Sequence, residues 1–147
     1  YIVLVTEMIN NARIVPMDGR PHLDSEMRRW SGDSRGHWEG NTLVVETTNF
    51  TDKTPTFQLP TTIENAAQSG AVGSGFNMHL VERFIPVDES TLEYEYTITD
   101  PKTFVSPFTV NIPMRLSDGQ MYEYACHEGN YALTGMLKGA RLLEAED

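Results

Sequence analysis

The chain has 147 residues, enough for one ordinary core, and its 39% hydrophobic and 10% aromatic content separates it from disordered sequences. Formal net charge is −10, from 21 acidic against 11 basic residues, the wrong sign for a general nucleic-acid or anionic-membrane binder. No apolar run approaches the roughly 18 residues that cross a bilayer, and the lone Cys126 excludes an internal disulfide and a cysteine-cluster metal site.

A single β-rich domain over 1–147 is the expected organisation. The chain opens directly on the strand-like Tyr1-Ile2-Val3-Leu4-Val5, which reads as a mature product or the C-terminal portion of a longer precursor. Residues 1–8 predict a first strand and 13–17 a second, stopped by the turn pair Asp18-Gly19. Residues 20–33 read as loop, with one helical turn at 25–30 capped by Asp24 or Ser25. Glu39-Gly40-Asn41 has the length and composition of a hairpin loop between strands at 35–38 and 42–50. In 42–50 neither alternating set is purely apolar, so the pattern leaves the buried face open.

Residues 51–75 form the longest irregular stretch, with Pro55, Pro60 and a Gly/Ser/Ala-rich run, and predict a mobile loop or lid. Strands follow at 77–87 and 91–99; in the latter Leu92, Tyr94, Tyr96 and Ile98 alternate cleanly with polar residues. Residues 108–116 alternate again, and Pro113, which lacks a ladder donor, marks an edge strand or a bulge. Residues 120–127 read as a last strand and 130–146 as a short C-terminal helix weakened by Gly135 and Gly139. Seven or eight short strands joined by tight turns predict an antiparallel β-barrel-like fold, with a β-sandwich as the alternative.

Three strings carry a family resemblance: Gly19-Arg20-Pro21-His22, the run from Gly32-Asp33-Ser34-Arg35-Gly36-His37-Trp38-Glu39-Gly40 to Val44-Val45-Glu46-Thr47, and Tyr122-Glu123-Tyr124-Ala125-Cys126-His127-Glu128-Gly129-Asn130-Tyr131. Together they resemble a large set of uncharacterised bacterial proteins, many of them exported and longer at the N-terminus. The resemblance covers nearly the whole chain. It implies a soluble β-rich domain in a periplasmic or extracellular setting and supplies no reaction. The Gly36-His37-Trp38 element is also similar to lipocalin-like (calycin-like) barrels.

Four histidines, His22, His37, His79 and His127, stand at no chelating spacing, so a metal would need ligands from distant segments such as His22, Asp33, His127 and Glu128. Neither a resident metal nor a cofactor is predicted. Asp33-Ser34-Arg35 reads first as an ion pair fixing a loop. Its functional reading is an anion clamp by Arg35 with Asp33 orienting a histidine. Ser34 lacks the glycine pattern of a nucleophile elbow. Glu46 and Glu82 share parity with apolar residues; they either point outward or sit desolvated as general acids or bases. Tyr122 and Tyr124 share a face with Cys126, and Glu123 and His127 share the other; the Tyr/Cys face is the expected core, and in the alternative Glu123 and His127 point inward as an acid–base pair lining a pocket.

The candidate catalytic set is therefore His22, Asp33, Arg35, His127 and Glu128, and the candidate ligand-binding set Trp38, Glu46, Glu82, Tyr122 and Tyr124. The leading expectation is a domain that binds a small, partly apolar molecule. The alternatives are an acid–base enzyme (lyase, isomerase or hydrolase) on the same scaffold, and a structural subunit that pairs as a homo-oligomer or within an assembly.

Overall fold

Alternating side chains become a sheet whose two faces differ in chemistry. In the computed structural model, which describes residues 1–53, 57–58, 71–72, 75–125, 128–129 and 131–145, nine strands are formed. They are β1 (Ile2–Thr6), β2 (Asn11–Val15), β3 (Asp33–Glu39), β4 (Thr42–Thr48), β5 (Phe57–Gln58), β6 (Ala71–Val72), β7 (His79–Pro86), β8 (Thr91–Thr99) and β9 (Phe108–Arg115). One α-helix, α1, spans Ala132–Glu144, and a short 3-10 helix spans Met8–Asn10. Five strands make an antiparallel sheet in the order β3-β4-β7-β8-β9; β1 pairs with β2, and β5 with β6. The chain divides into two compact units, Tyr1–Leu4 with Ala12–Gly119, and Val5–Asn11 with Gln120–Asp147.

Register assigns the faces of the large sheet. Gly36 stands opposite Val45, Val45 opposite Glu82, Glu82 opposite Tyr96, and Tyr96 opposite Val110. Leu43, Val45, Thr47, Leu80, Phe84, Tyr94 and Ile98 therefore share one face with Glu82. Glu46, Arg83, Glu95 and Asn111 lie on the other. This resolves the ambiguity of 42–50: the Leu43-Val45-Thr47 set is the core set, and Val44 is also buried, between His37 and Arg83 in the register.

Two apolar clusters cover the inner face. Val15, Leu43 and Val45 pack with Ile2, Leu4, Met17 and Phe84. Phe50, Met78 and Ile98 pack with Leu80, Tyr96, Phe104 and Phe108. The first cluster depends on Gly36. A Cβ there would lie 2.4 Å from the Met17 sulfur and 2.8 Å from Val15 Cγ1, and the Gly36 amide donates to the Pro16 carbonyl at 2.9 Å. Glycine thus lets the end of β2 close down on β3.

The mainly antiparallel β class with a short C-terminal helix is realised, and the sheet follows the sandwich alternative: β3 and β9 are its open edges, so no barrel closes among the described residues. Pro113 does sit on edge strand β9. The predicted three-residue loop is two residues, Gly40-Asn41, because Glu39 and Thr42 pair, and Gly40 takes φ +60°. Residues 25–30 make a turn and no helix: Asp24 Oδ1 accepts the Glu26 amide at 2.9 Å and the Asp24 carbonyl the Met27 amide at 2.9 Å. The predicted lid falls largely on 54–56, 59–70 and 73–74, outside the described residues.

The predicted strand at 120–127 does not form where it is described. Residues 120–125 are irregular, and Cys126 and His127 lie outside the described residues. In this second unit the Tyr124 amide donates to Asn10 Oδ1 at 3.0 Å and Asn10 Nδ2 to the Tyr124 carbonyl at 3.4 Å. Helix α1 forms despite its two glycines, with Arg141 in the last turn complementing the helix dipole, and none of its residues is buried. No described helix is long and apolar enough to cross a membrane.

Candidate functional site

Residues 20–32 contain no regular element, yet polar bonds hold them to the sheet at many points. Asn49, at φ +58°, sends its amide to the Leu23 and Asp24 carbonyls, each at 3.0 Å. The Arg29 amide donates to the Asn49 carbonyl at 2.9 Å, and the Thr51 amide to the Arg29 carbonyl at 3.1 Å. Arg28 reaches the Phe50 and Phe76 carbonyls at 3.2 and 2.7 Å and lies 3.3 Å over the Phe76 ring. Gly32, at φ +70°, closes the loop where an added Cβ would meet Thr47 and the Thr48 carbonyl within 2.7 Å. A loop laced this way is a fixed wall.

The wall bounds a cleft of about 940 Å³ lined from β2 by Ala12, Arg13 and Ile14, from the loop by Arg20 through Leu23 and Met27, Arg29 and Trp30, and from β3 by Asp33, Ser34 and Arg35. The volume lies within the ordinary range for small-molecule sites, roughly 300–1,000 Å³.

Asp33 is the hub. Its carboxylate is buried and accepts three donors: His22 Nδ1 at 3.1 Å and the Leu23 amide at 2.9 Å on Oδ2, and Arg35 Nη1 at 2.9 Å on Oδ1. Burial alone would raise its pKa. The Leu23 amide, the Arg35 guanidinium and the His22 ring outweigh that and hold it below the usual carboxylate range. Arg35 also donates to the Pro21 and Ser34 carbonyls at 2.9 and 2.7 Å, so it ties the loop to its own strand. His22 Nε2 is enclosed and has no hydrogen-bond partner. Ser34 is occupied: its hydroxyl lies 2.8 Å from Thr47 Oγ1, directly across the ladder.

Behind the cleft, Arg13 on β2 turns to Glu82 on the inner face of β7. Arg13 Nη2 donates to Glu82 Oε1 at 2.8 Å, and Nη1 lies 2.7 Å from Oε2, an ion pair without hydrogen-bond alignment at that oxygen. The Tyr94 hydroxyl donates to Glu82 Oε1 at 2.7 Å. Burial, then the Glu82 charge, push the Tyr94 hydroxyl well above the usual phenol range. Glu82 is thus the desolvated carboxylate that its parity allowed, neutralised by a partner the sequence did not indicate.

The structure brings His22, Asp33 and Arg35 into one cluster, and Glu82 pairs with Arg13, which lines the same cleft. It leaves Trp38 exposed at the far end of β3. Glu46 faces outward, 2.6 Å from His79 Nε2, in a solvent-exposed pair. Tyr122, Tyr124 and Glu128 lie in the second unit; both tyrosines are exposed, so the expectation of a buried Tyr/Cys face is not met there. His127 is outside the described residues. Reasoning from sequence missed Arg13 and Arg29. Among the described residues no group of three or more His, Cys, Asp or Glu could hold a metal ion. Fold and site define a cleft-bearing antiparallel β domain, and comparison with protein-family models, curated proteins and solved structures returns no match.

Proposed function

We propose that the protein is a small-molecule-binding β domain whose site is the cleft between β2, the 20–32 loop and β3. The observation that carries this is the pre-formed wall: a loop without regular structure is fixed by side-chain and backbone bonds around a cleft large enough for a small ligand. Ordering that wall in advance removes an entropy cost from binding. The apolar side chains Ile14, Met27 and Trp30 line the cleft and stay more than half exposed, surface that a partly apolar ligand would cover. The resemblance to exported bacterial proteins supports a periplasmic or extracellular setting.

The test is native mass spectrometry of untagged protein for a co-purifying molecule, followed by thermal-shift screening of a small-molecule panel. A ligand at about 100 times its Kd should raise stability by about 2.7 kcal/mol, a shift of about 5–10 °C for a chain of this size. Ile14→Asp, a change at an exposed cleft residue, should remove it. No bound mass and no shift with any panel compound would overturn the reading.

Acid–base catalysis is the second reading, and the Asp33–His22 pair favours it. A carboxylate on Nδ1 fixes the ring in the tautomer that leaves Nε2 free to take a proton. Nε2 is enclosed, so this reading requires the ring to open toward the cleft when a substrate is present. Ligand-dependent movement of the His22 ring resonances in NMR spectra would support it; unchanged resonances at ligand saturation would remove it.

A further inference from the structure

Four arginines line the cleft: Arg13, Arg20, Arg29 and Arg35. Three already have carboxylate partners. Arg13 is paired with Glu82, Arg20 with Asp18, and Arg35 with Asp33. The acid that remains in the lining beside Asp33 is Asp24, and its carboxylate accepts the Glu26 amide at 2.9 Å within its own turn. Arg29 differs from the other three. Among the described residues its guanidinium makes no ion pair and no hydrogen bond, although its backbone is fixed on both sides. The amide is held by Asn49, and the carbonyl accepts the Gly32 and Thr51 amides at 3.2 and 3.1 Å.

A guanidinium on an anchored backbone, at the edge of a cleft, is a ready-made fork for a carboxylate or another oxyanion. Beside it in the same lining stand Ile14, Met27 and Trp30, exposed by 63%, 59% and 63%. An inorganic ion would leave these apolar walls in water and most of the 940 Å³ unfilled. A cationic ligand would meet Arg29 with like charge. Resting on the binding reading above, we propose that the ligand is an organic anion with an apolar body, its acidic group taken by Arg29 and its body lying on Ile14, Met27 and Trp30.

Two fluorescent probes separate this inference from the reading beneath it. 8-Anilinonaphthalene-1-sulfonate and N-phenyl-1-naphthylamine share an aryl body, and only the first carries an anionic group. On the full chain the sulfonate should bind about tenfold tighter than the neutral probe, the equivalent of about 1.4 kcal/mol. Arg29→Ala should erase that advantage and leave the neutral probe's affinity unchanged, and Arg29→Lys should restore part of it. Arg29 is exposed, so the variant should fold normally, which circular dichroism checks. Ile14→Asp should weaken both probes. If both bind equally well, both respond to Ile14→Asp and neither responds to Arg29→Ala, the cleft binds small molecules and the organic-anion class is wrong. If neither responds to Ile14→Asp, the cleft is not the binding site and both proposals fall.

Discussion

Asp33 places two oxygens against three donors while almost withdrawn from water, and this explains why the first residue of β3 organises so much of the loop before it. Asp33→Ala would strand the Leu23 amide and leave the Arg35 guanidinium, itself mostly buried, without its counter-charge. Breaking such a pair from one side is costly. We expect a loss of about 3 kcal/mol in urea unfolding. Ligand-induced thermal shifts should vanish as well, even at temperatures where the variant is folded, because the cleft wall is no longer fixed. A loss below about 1 kcal/mol would mean that the loop is held elsewhere. The Asp-Ser-Arg string was legible in the sequence as a loop-fixing ion pair, and the structure bears out that plainer role. The partners of Asp33 were less legible. His22 lies eleven positions earlier, and the Arg35 bond to Pro21 together with the Asn49 bonds to Leu23 and Asp24 folds that distance away.

At the scale of elements, alternation was a good guide wherever a strand has partners. The run at 91–99 is β8 to the residue, and 108–116 differs from β9 only at its end. Alternation says which residues share a face but not which strands pair. A barrel was therefore predicted where the sheet stays open, and Tyr122 and Tyr124 suggested a strand where the chain is irregular. The same gap hid the bond between layers. Arg13 and Glu82 are 69 residues apart and belong to different sheets, so neither alternation nor strand register shows that they meet. Their pairing supports a quantitative test. Arg13→Met should destabilise the fold by about 3–5 kcal/mol by leaving Glu82 charged and buried. Arg13→Met combined with Glu82→Leu should recover most of that loss, since an apolar pair of similar volume removes the desolvation penalty on both sides. A double-mutant cycle by denaturant unfolding measures it. Additive losses would show that Arg13 and Glu82 stabilise the fold independently.

For the whole molecule, charge makes opposed demands as pH falls. At pH 7 the chain carries a net −10, so mild acidification relieves self-repulsion. Against this stand carboxylates whose folded pKa is lowered. Asp33 is held down by its three donors against the opposing effect of burial, Asp18 is at about 2 through its Arg20 bond, Glu39 is lowered by Arg83, and Asp88 by the Ser90 amide. A depressed carboxylate stabilises the fold at pH values above its unfolded value, near 4, and that contribution is lost as pH falls through the folded pKa. Asp18, Glu39 and Asp88 are exposed and screened by solvent, so their weight is small. Asp33 is buried, and it should dominate the acid limb. Urea midpoints at fixed ionic strength should hold steady or rise slightly from pH 7 to about 5, then fall steeply below about 4. In Asp33→Asn the neutral-pH midpoint should be lower and the acid limb shallower, because the group that loses its charge in the wild type is already neutral. An acid limb of unchanged steepness in that variant would transfer the effect from Asp33 to general charge repulsion as the protein becomes cationic.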